Sequence, residues 1–143
     1  MGGQSALVYM VYAKRTPAAC VANCPVCDLV YHYTERFDLP RTLYSAFYNE
    51  DGDINAVLEK ASPLHLVNRM PKSKYYIFHC YNDSAVNIHK HSKPLVQLMK
   101  DNGYDITYEI VPDREHCDLP DEIKDKYTAR TVEAIEGNQG CPI

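Results

Sequence analysis

The chain has 143 residues, of which 45% are hydrophobic and 24% are charged, and this balance predicts one globular domain with a modest core over residues 1–143. The net charge of −4, with lysines and arginines scattered among acidic residues, argues against a nucleic-acid-binding protein. No apolar run reaches the roughly 20 residues that a membrane span needs, and no signal segment opens the sequence, so we predict a cytoplasmic protein with no membrane partner.

A helix and a strand are the first predicted elements. Residues 4–15 favour a helix because they are rich in alanine, leucine and methionine, and Thr16-Pro17 ends it. Residues 18–24 are small and apolar, which is typical of a buried strand.

Three cysteines in and after this strand, Cys20, Cys24 and Cys27, have the C-x3-C-x2-C spacing by which radical S-adenosylmethionine enzymes hold a four-iron cluster. Such ligands need a flexible loop that lets three thiolates converge. A strand would fix Cys20 and Cys24 in place, and Pro25 follows at once. We therefore predict reduced thiols, no metal site and no cofactor, and keep a metal- or cluster-binding protein as an alternative.

The remaining predicted elements alternate between helix and strand. Aromatic and branched residues indicate the strands, and apolar residues at helical spacing indicate the helices. They are helices at 39–48, 54–60 and 86–102, strands at 75–80 and 106–111, a last helix from Pro120, and a frayed tail at 137–143. Because right-handed crossovers make such strands parallel, we predict an α/β fold: a three-layer α/β/α arrangement around a short sheet of about three strands.

Asp83 and His116 each follow the end of a predicted strand. The carboxyl ends of neighbouring parallel strands open on the same rim of a sheet, so we expect these two side chains to meet there. An acid that orients a histidine is the arrangement that activates a nucleophile. We do not expect Cys117 to face His116, because adjacent residues rarely point side chain to side chain.

The segments Ala61-Ser62-Pro63, His79-Cys80-Tyr81-Asn82-Asp83 and His116-Cys117 resemble the C-terminal part of an α/β-hydrolase of the prolyl-oligopeptidase and dienelactone-hydrolase type. That family usually reads H-G-x-x-D-x-x-V and ends its catalytic triad on a histidine after the last strand; here Cys80 replaces the glycine. The resemblance covers almost the whole chain. It implies a serine esterase or peptidase, a small ester or peptide substrate, and catalytic roles for Asp83 and His116.

The resemblance also bears on the nucleophile. Met1-Gly2-Gly3 matches the residues just after the serine of the family's G-x-S-M-G-G turn, which implies a nucleophile immediately before Met1 and the backbone N–H of Met1 in the oxyanion hole. Ser5 is the competing candidate, but Leu7 stands where G-x-S-x-G has its second glycine. The expected protein is a catalytic-domain fragment, nearly inert alone.

Partners follow from the same resemblance. The family's first strands would be absent, so strand 18–24 would have an open edge, and we predict a homo-oligomer, most simply a dimer, that covers it. A non-catalytic hydrolase-like interaction module is the other alternative to an enzyme.

Overall fold

The computed structural model describes residues 1–47 and 53–136. The predicted tail at 137–143 and residue Tyr48 of the predicted helix 39–48 lie outside these ranges. The elements in order are α1 (Gly2–Tyr12), β1 (Ala19–Asn23), α2 (Leu29–Glu35), α3 (Leu39–Phe47), α4 (Ile54–Glu59), two 3₁₀ turns (Pro63–His65 and Val67–Arg69), β2 (Lys74–Cys80), α5 (Ser92–Asp101), β3 (Asp105–Val111) and α6 (Asp121–Glu136).

The strands of the described ranges form one parallel sheet in the order β1-β2-β3. Ala22 of β1 lies beside Ile77 of β2, and Ile77 lies beside Tyr108 of β3. The predicted α/β class with a short parallel sheet is therefore confirmed. β1 stands at one edge of this sheet, and its pairing with a second copy of the chain stays a prediction.

Helices cover both faces of the sheet. On one face, Tyr75 and Ile77 pack in the main core with residues of α1 and α5, which include Leu7, Leu95 and Met99. On the other face, the ring of Phe78 makes an edge contact with Tyr127 of α6, with centroids 5.2 Å apart. Successive residues of β2 thus face opposite layers, as the pleat of a strand requires.

A second apolar cluster joins α2, α3 and α4 beside the sheet. It consists of Val26, Leu29, Leu43, Leu58 and Val86. Since Val86 belongs to the segment after β2, this cluster supports the loop that carries Asp83.

Two predicted helix boundaries differ from those of the structure by three residues or more. α1 ends at Tyr12 rather than residue 15, because the backbone of Ala13 is already extended, with φ −62° and ψ 135°. α5 begins at Ser92 rather than residue 86, which puts Pro94 in its first turn. Proline is tolerated there because the first helical N–H groups have no partner within the helix.

None of the helices in the described ranges has both the length and the apolar composition needed to cross a bilayer.

Gly3 lets the start of α1 approach the end of β1. A Cβ built on Gly3 would lie 2.6 Å from the backbone oxygen of Asn23 and 3.0 Å from the Cα of Pro25, whereas one on Gly2 would have no neighbour within 4 Å. We expect Gly3→Ala to lower the free energy of unfolding by about 1–3 kcal/mol, since backbone must move to admit the methyl group. Urea denaturation measures this change.

The matched control for this prediction is Gly2→Ala, which also adds one methyl group to the first turn of α1. It should leave the stability unchanged or raise it slightly, because alanine favours helix over glycine. Equal losses in both variants would show that α1 does not pack against β1 as described.

Candidate active site

The structure brings Asp83 and His116 together at the carboxyl edge of the sheet. Nδ1 of His116 lies 2.6 Å from Oδ2 of Asp83. The Asp83 side chain is fully buried, whereas the His116 side chain keeps 36% of its surface exposed. A buried carboxylate thus holds the inner nitrogen of a ring whose outer part reaches the surface.

The Asp83 carboxylate is held in place by its own loop. Its Oδ1 accepts hydrogen bonds from the backbone N–H groups of Ala85, at 3.0 Å, and Val86, at 2.7 Å. Burial alone raises the pKa of this carboxyl, but the hydrogen bonds from His79, His116 and the Val86 N–H outweigh it and lower the pKa to about 2. Asp83 is therefore ionised at neutral pH and can only accept hydrogen bonds.

His79 is a site residue that the sequence analysis missed. Its side chain is completely buried, and its Nε2 lies 3.2 Å from Oδ2 of Asp83 and 3.0 Å from the Val86 carbonyl oxygen. Both neighbours are acceptors, so Nε2 carries the ring proton. The available signal was a histidine inside an otherwise apolar predicted strand, four residues before an aspartate.

The other nitrogen of His79 begins a buried chain of hydroxyl groups. Nδ1 lies 2.6 Å from Oγ of Ser92, which lies 2.6 Å from the phenolic oxygen of Tyr108. Because Nε2 of His79 carries the ring proton, Nδ1 accepts from the Ser92 hydroxyl, whose oxygen can in turn accept from the Tyr108 phenol. Burial raises the pKa of Tyr108 to about 12. β2, α5 and β3 are thereby tied to the carboxylate through one polar network.

The outer nitrogen of His116 faces a thiol, contrary to the sequence-based expectation. Sγ of Cys117 lies 3.4 Å from Nε2 of His116. Cys117 has a φ of +58°, in the left-handed region that residues other than glycine rarely adopt. This backbone turn brings the side chain of Cys117 back toward its neighbour, a reversal that residue type alone does not indicate.

His116 and Cys117 line a cavity of about 230 Å³ that also receives the start of α1. Met1, Gly2 and Gly3 belong to its wall, together with Asn23 and Cys24 of the neighbouring strand end. Ser5 is exposed and is not among the residues of this wall. The structure thus places Met1, the predicted oxyanion-hole residue, beside the histidine and leaves Ser5 outside.

The other thiols of the described ranges are packed as core residues. Cys20 and Cys27 lie in the main core, whereas Cys24 and Cys80 pack with Val111 and Leu119. Within the described ranges, Cys20 and Cys27 belong to none of the groups of converging ligand atoms, and Cys24 converges with other residues instead, so the four-iron-cluster alternative finds no support. Cys80 does not have a positive φ, so its position does not require the family's glycine.

A second polar network lies beside this site and involves Glu35, His32 and His91. Oε2 of Glu35 lies 2.7 Å from Nδ1 of His32 and 2.9 Å from Nε2 of His91. Nδ1 of His91 accepts from the backbone N–H groups of Cys27 and Asp28, at 3.1 and 3.3 Å. Both nitrogens of His91 are thus engaged, and the network joins α2 to the start of α5.

No protein-family model matches this sequence, and no curated protein matches it. Solved structures do match. An acylaminoacyl peptidase from Pyrococcus horikoshii superposes with a TM-score of 0.72 at 13% identity, over 92% of this chain and 22% of that one. A puromycin hydrolase superposes with a TM-score of 0.74 at 15% identity, over 99% of this chain and 21% of that one. A puromycin-hydrolyzing peptidase from Mycobacterium tuberculosis superposes with a TM-score of 0.67 at 17% identity, over 80% of this chain and 17% of that one.

These proteins are peptidases of the prolyl-oligopeptidase family, so the resemblance noted from the sequence is confirmed at the level of fold. The described part of the chain has the fold of the C-terminal portion of an α/β-hydrolase domain. The chain spans about a fifth of the length of these solved proteins, between 17% and 22%. At these identities the likeness establishes the fold and leaves the activity to be argued from the site.

The Glu35 network makes stability depend on pH. Burial lowers the pKa of His91 from its ordinary 6.5, with the nearby Glu35 and Asp28 carboxylates only partly offsetting it and His32 adding to it. As the pH falls below about 6.5, His91 therefore binds a proton in the unfolded chain before it does so in the folded protein, and the free energy of unfolding decreases. We expect the unfolding free energy from urea denaturation to decrease from pH 7.5 to 5.5.

His91→Asn keeps an acceptor near the Cys27 and Asp28 N–H groups but cannot titrate, so it should show a shallower pH dependence over the same interval. His89→Asn changes an exposed histidine two positions away and should keep the wild-type slope. A His91→Asn slope equal to that of the wild type would contradict the assignment.

Proposed function

We propose that this chain is the aspartate- and histidine-bearing part of a serine hydrolase catalytic domain that cleaves ester or amide bonds. The observation that carries the proposal is the 2.6 Å hydrogen bond between Asp83 and His116 beside a cavity that also receives the start of α1. The α/β-hydrolase fold of the described residues supports it, because that fold places a triad aspartate and histidine after its last strands.

The chemistry assigned to the pair follows from which nitrogen carries the proton. Asp83 is ionised and accepts only, so Nδ1 of His116 is protonated in the neutral ring and Nε2 keeps a lone pair. Nε2 can then take the proton of an attacking serine hydroxyl and later return it to the leaving group. Asp83 holds the ring in this tautomer and stabilises the imidazolium that forms in between.

Position within the cavity favours a serine directly before Met1 over Ser5 as the nucleophile. Met1, Gly2 and Gly3 share the cavity wall with His116, whereas Ser5 lies one helical turn further along α1 on an exposed surface. A serine at the start of α1 would have the N–H of Met1 as the donor that follows the nucleophile. The positive end of the helix dipole also favours a developing oxyanion there.

A peptide bond is the favoured substrate within this proposal. The matching solved structures include two that are named as peptidases, an acylaminoacyl peptidase and a puromycin-hydrolyzing peptidase. The small cavity described here would form part of the pocket and would receive the scissile bond rather than a long substrate.

The test uses a protein that carries this chain together with the sequence encoded directly before Met1. A fluorophosphonate probe should label a serine adjacent to Met1, because such probes react with the activated serine of a triad. His116→Gln should slow the labelling by about a thousandfold or more, since loss of a triad member typically costs on the order of a millionfold in turnover. Mass spectrometry of tryptic peptides identifies the labelled residue.

The control is His89→Gln, a histidine outside the site that should leave the labelling rate unchanged. Labelling at Ser5, or an undiminished rate in His116→Gln, would overturn the assignment of nucleophile and base.

A further inference from the structure

Two thiols and an imidazole converge beside the candidate active site. Cys24 follows β1, and His116 and Cys117 follow β3; we call these three residues the thiol–imidazole cluster. Their ligand atoms, two Sγ and one ring nitrogen, all lie within 4.8 Å of one another. They come from two separate segments, so the fold and not local chain geometry brings them together.

The backbone on both sides of the cluster is held in an uncommon conformation. Cys24 has a φ of +43° and Cys117 a φ of +58°, and both regions disfavour residues with a Cβ. The N–H of Cys24 donates to the Phe78 carbonyl at 2.7 Å, and the Cys117 carbonyl accepts from Leu119 at 3.1 Å. Backbone strain that surrounding contacts hold in place is commonly found at functional sites.

We propose that the thiol–imidazole cluster binds a zinc-class divalent metal ion through Sγ of Cys24, Nε2 of His116 and Sγ of Cys117. Two cysteines and one histidine form a ligand set that Zn²⁺ prefers, with bonds of about 2.3 Å to sulfur and about 2.0 Å to nitrogen. Tetrahedral bonds of that length put ligand atoms roughly 3.3–3.8 Å apart. Nε2 and Sγ of Cys117 are already 3.4 Å apart, and each of the other two separations, at most 4.8 Å, needs to shorten by no more than about 1.3 Å.

The surroundings of His116 are those of a metal-binding histidine. A ligating imidazole usually donates its other N–H to a carboxylate, which fixes the ring orientation. Asp83 accepts from Nδ1 of His116 at 2.6 Å and is itself held by backbone N–H groups. The nitrogen turned toward the thiols is therefore the one that carries the lone pair.

The cavity leaves a fourth coordination position open. Asn23 lines it, and the Oδ1 atom of Asn23 is buried and has no hydrogen-bond partner among the described residues. A ligand or a water bound to the metal in this cavity would give that oxygen a donor. Three protein ligands plus one open position is the arrangement of catalytic or exchangeable zinc sites rather than of closed structural ones.

In the other convergent groups of the described ranges, a fully buried histidine has both ring nitrogens hydrogen-bonded. In the group of His32, Glu35 and His91, Nδ1 of His91 already accepts two backbone N–H groups and its Nε2 faces Glu35. In the group of Cys24, His79 and Asp83, both nitrogens of His79 are hydrogen-bonded. The thiol–imidazole cluster differs because its nitrogen faces only a thiol.

This inference goes beyond the proposed hydrolysis and does not depend on it. A metal on Nε2 of His116 would occupy the lone pair that a general base needs, so the bound ion would block proton transfer from a serine. Metal binding itself can be measured on the chain whether or not it hydrolyses anything.

The experiment titrates Co²⁺ into the full chain carrying Cys141→Ser, since Cys141 lies outside the described residues and could supply another thiol. We expect one cobalt per chain, with the intense visible bands of tetrahedral Co²⁺ and a thiolate-to-cobalt charge-transfer band, both abolished by one equivalent of Zn²⁺. Cys117→Ser and Cys24→Ser should each lose the charge-transfer intensity in part and the tight binding altogether.

Cys20→Ser is the matched control, because it removes a buried thiol that lies in β1 and outside the cluster, and it should keep the full cobalt spectrum. Cys117 is exposed, so Cys117→Ser tests the site even where Cys24→Ser unfolds, which circular dichroism reveals. Absence of the charge-transfer band in the parent chain, or an unchanged spectrum in Cys117→Ser, would overturn the proposal.

Discussion

The buried carboxylate of Asp83 is the group on which the carboxyl edge of the sheet depends. It accepts hydrogen bonds from His116, from His79 and from two backbone N–H groups of its own loop. An ionised carboxylate without water around it is costly unless such donors surround it. These donors belong to β2, to the loop after it and to the loop after β3, so satisfying the charge also sets how the three segments lie together.

The same carboxylate determines what His116 can do. By holding the proton on Nδ1, Asp83 leaves the lone pair of Nε2 toward the cavity, where either a serine hydroxyl or a metal ion can use it. The two proposals therefore concern one nitrogen in two states: free, it can act as a base; bound to metal beside Cys24 and Cys117, it cannot. Both uses require the geometry at Asp83, and neither requires the other.

Much of the fold and half of the site could be predicted from residue patterns. The aromatic and branched run before Asp83 marks β2, and the rule that parallel strands share a rim brings Asp83 to His116. The start of α5 was harder to predict, because apolar residues at helical spacing continue upstream of Pro94 although the helix begins only at Ser92. The sequence indicates only that His79 lies in a strand. The structure shows that its ring is hydrogen-bonded at both nitrogens, to Ser92 of α5 and to the Val86 carbonyl oxygen. The approach of Cys117 to His116 depends on a positive φ, which a cysteine does not signal.

Nitrogen-edited NMR of the imidazole rings can show whether Asp83 holds the proton on Nδ1 of His116. We expect a far-downfield, exchange-protected proton on Nδ1 of His116 and an unprotonated Nε2 in the neutral ring, with the downfield proton lost in Asp83→Ala. A spectrum in which Nε2 carries the proton and Nδ1 does not, or one that Asp83→Ala leaves unchanged, would contradict this assignment.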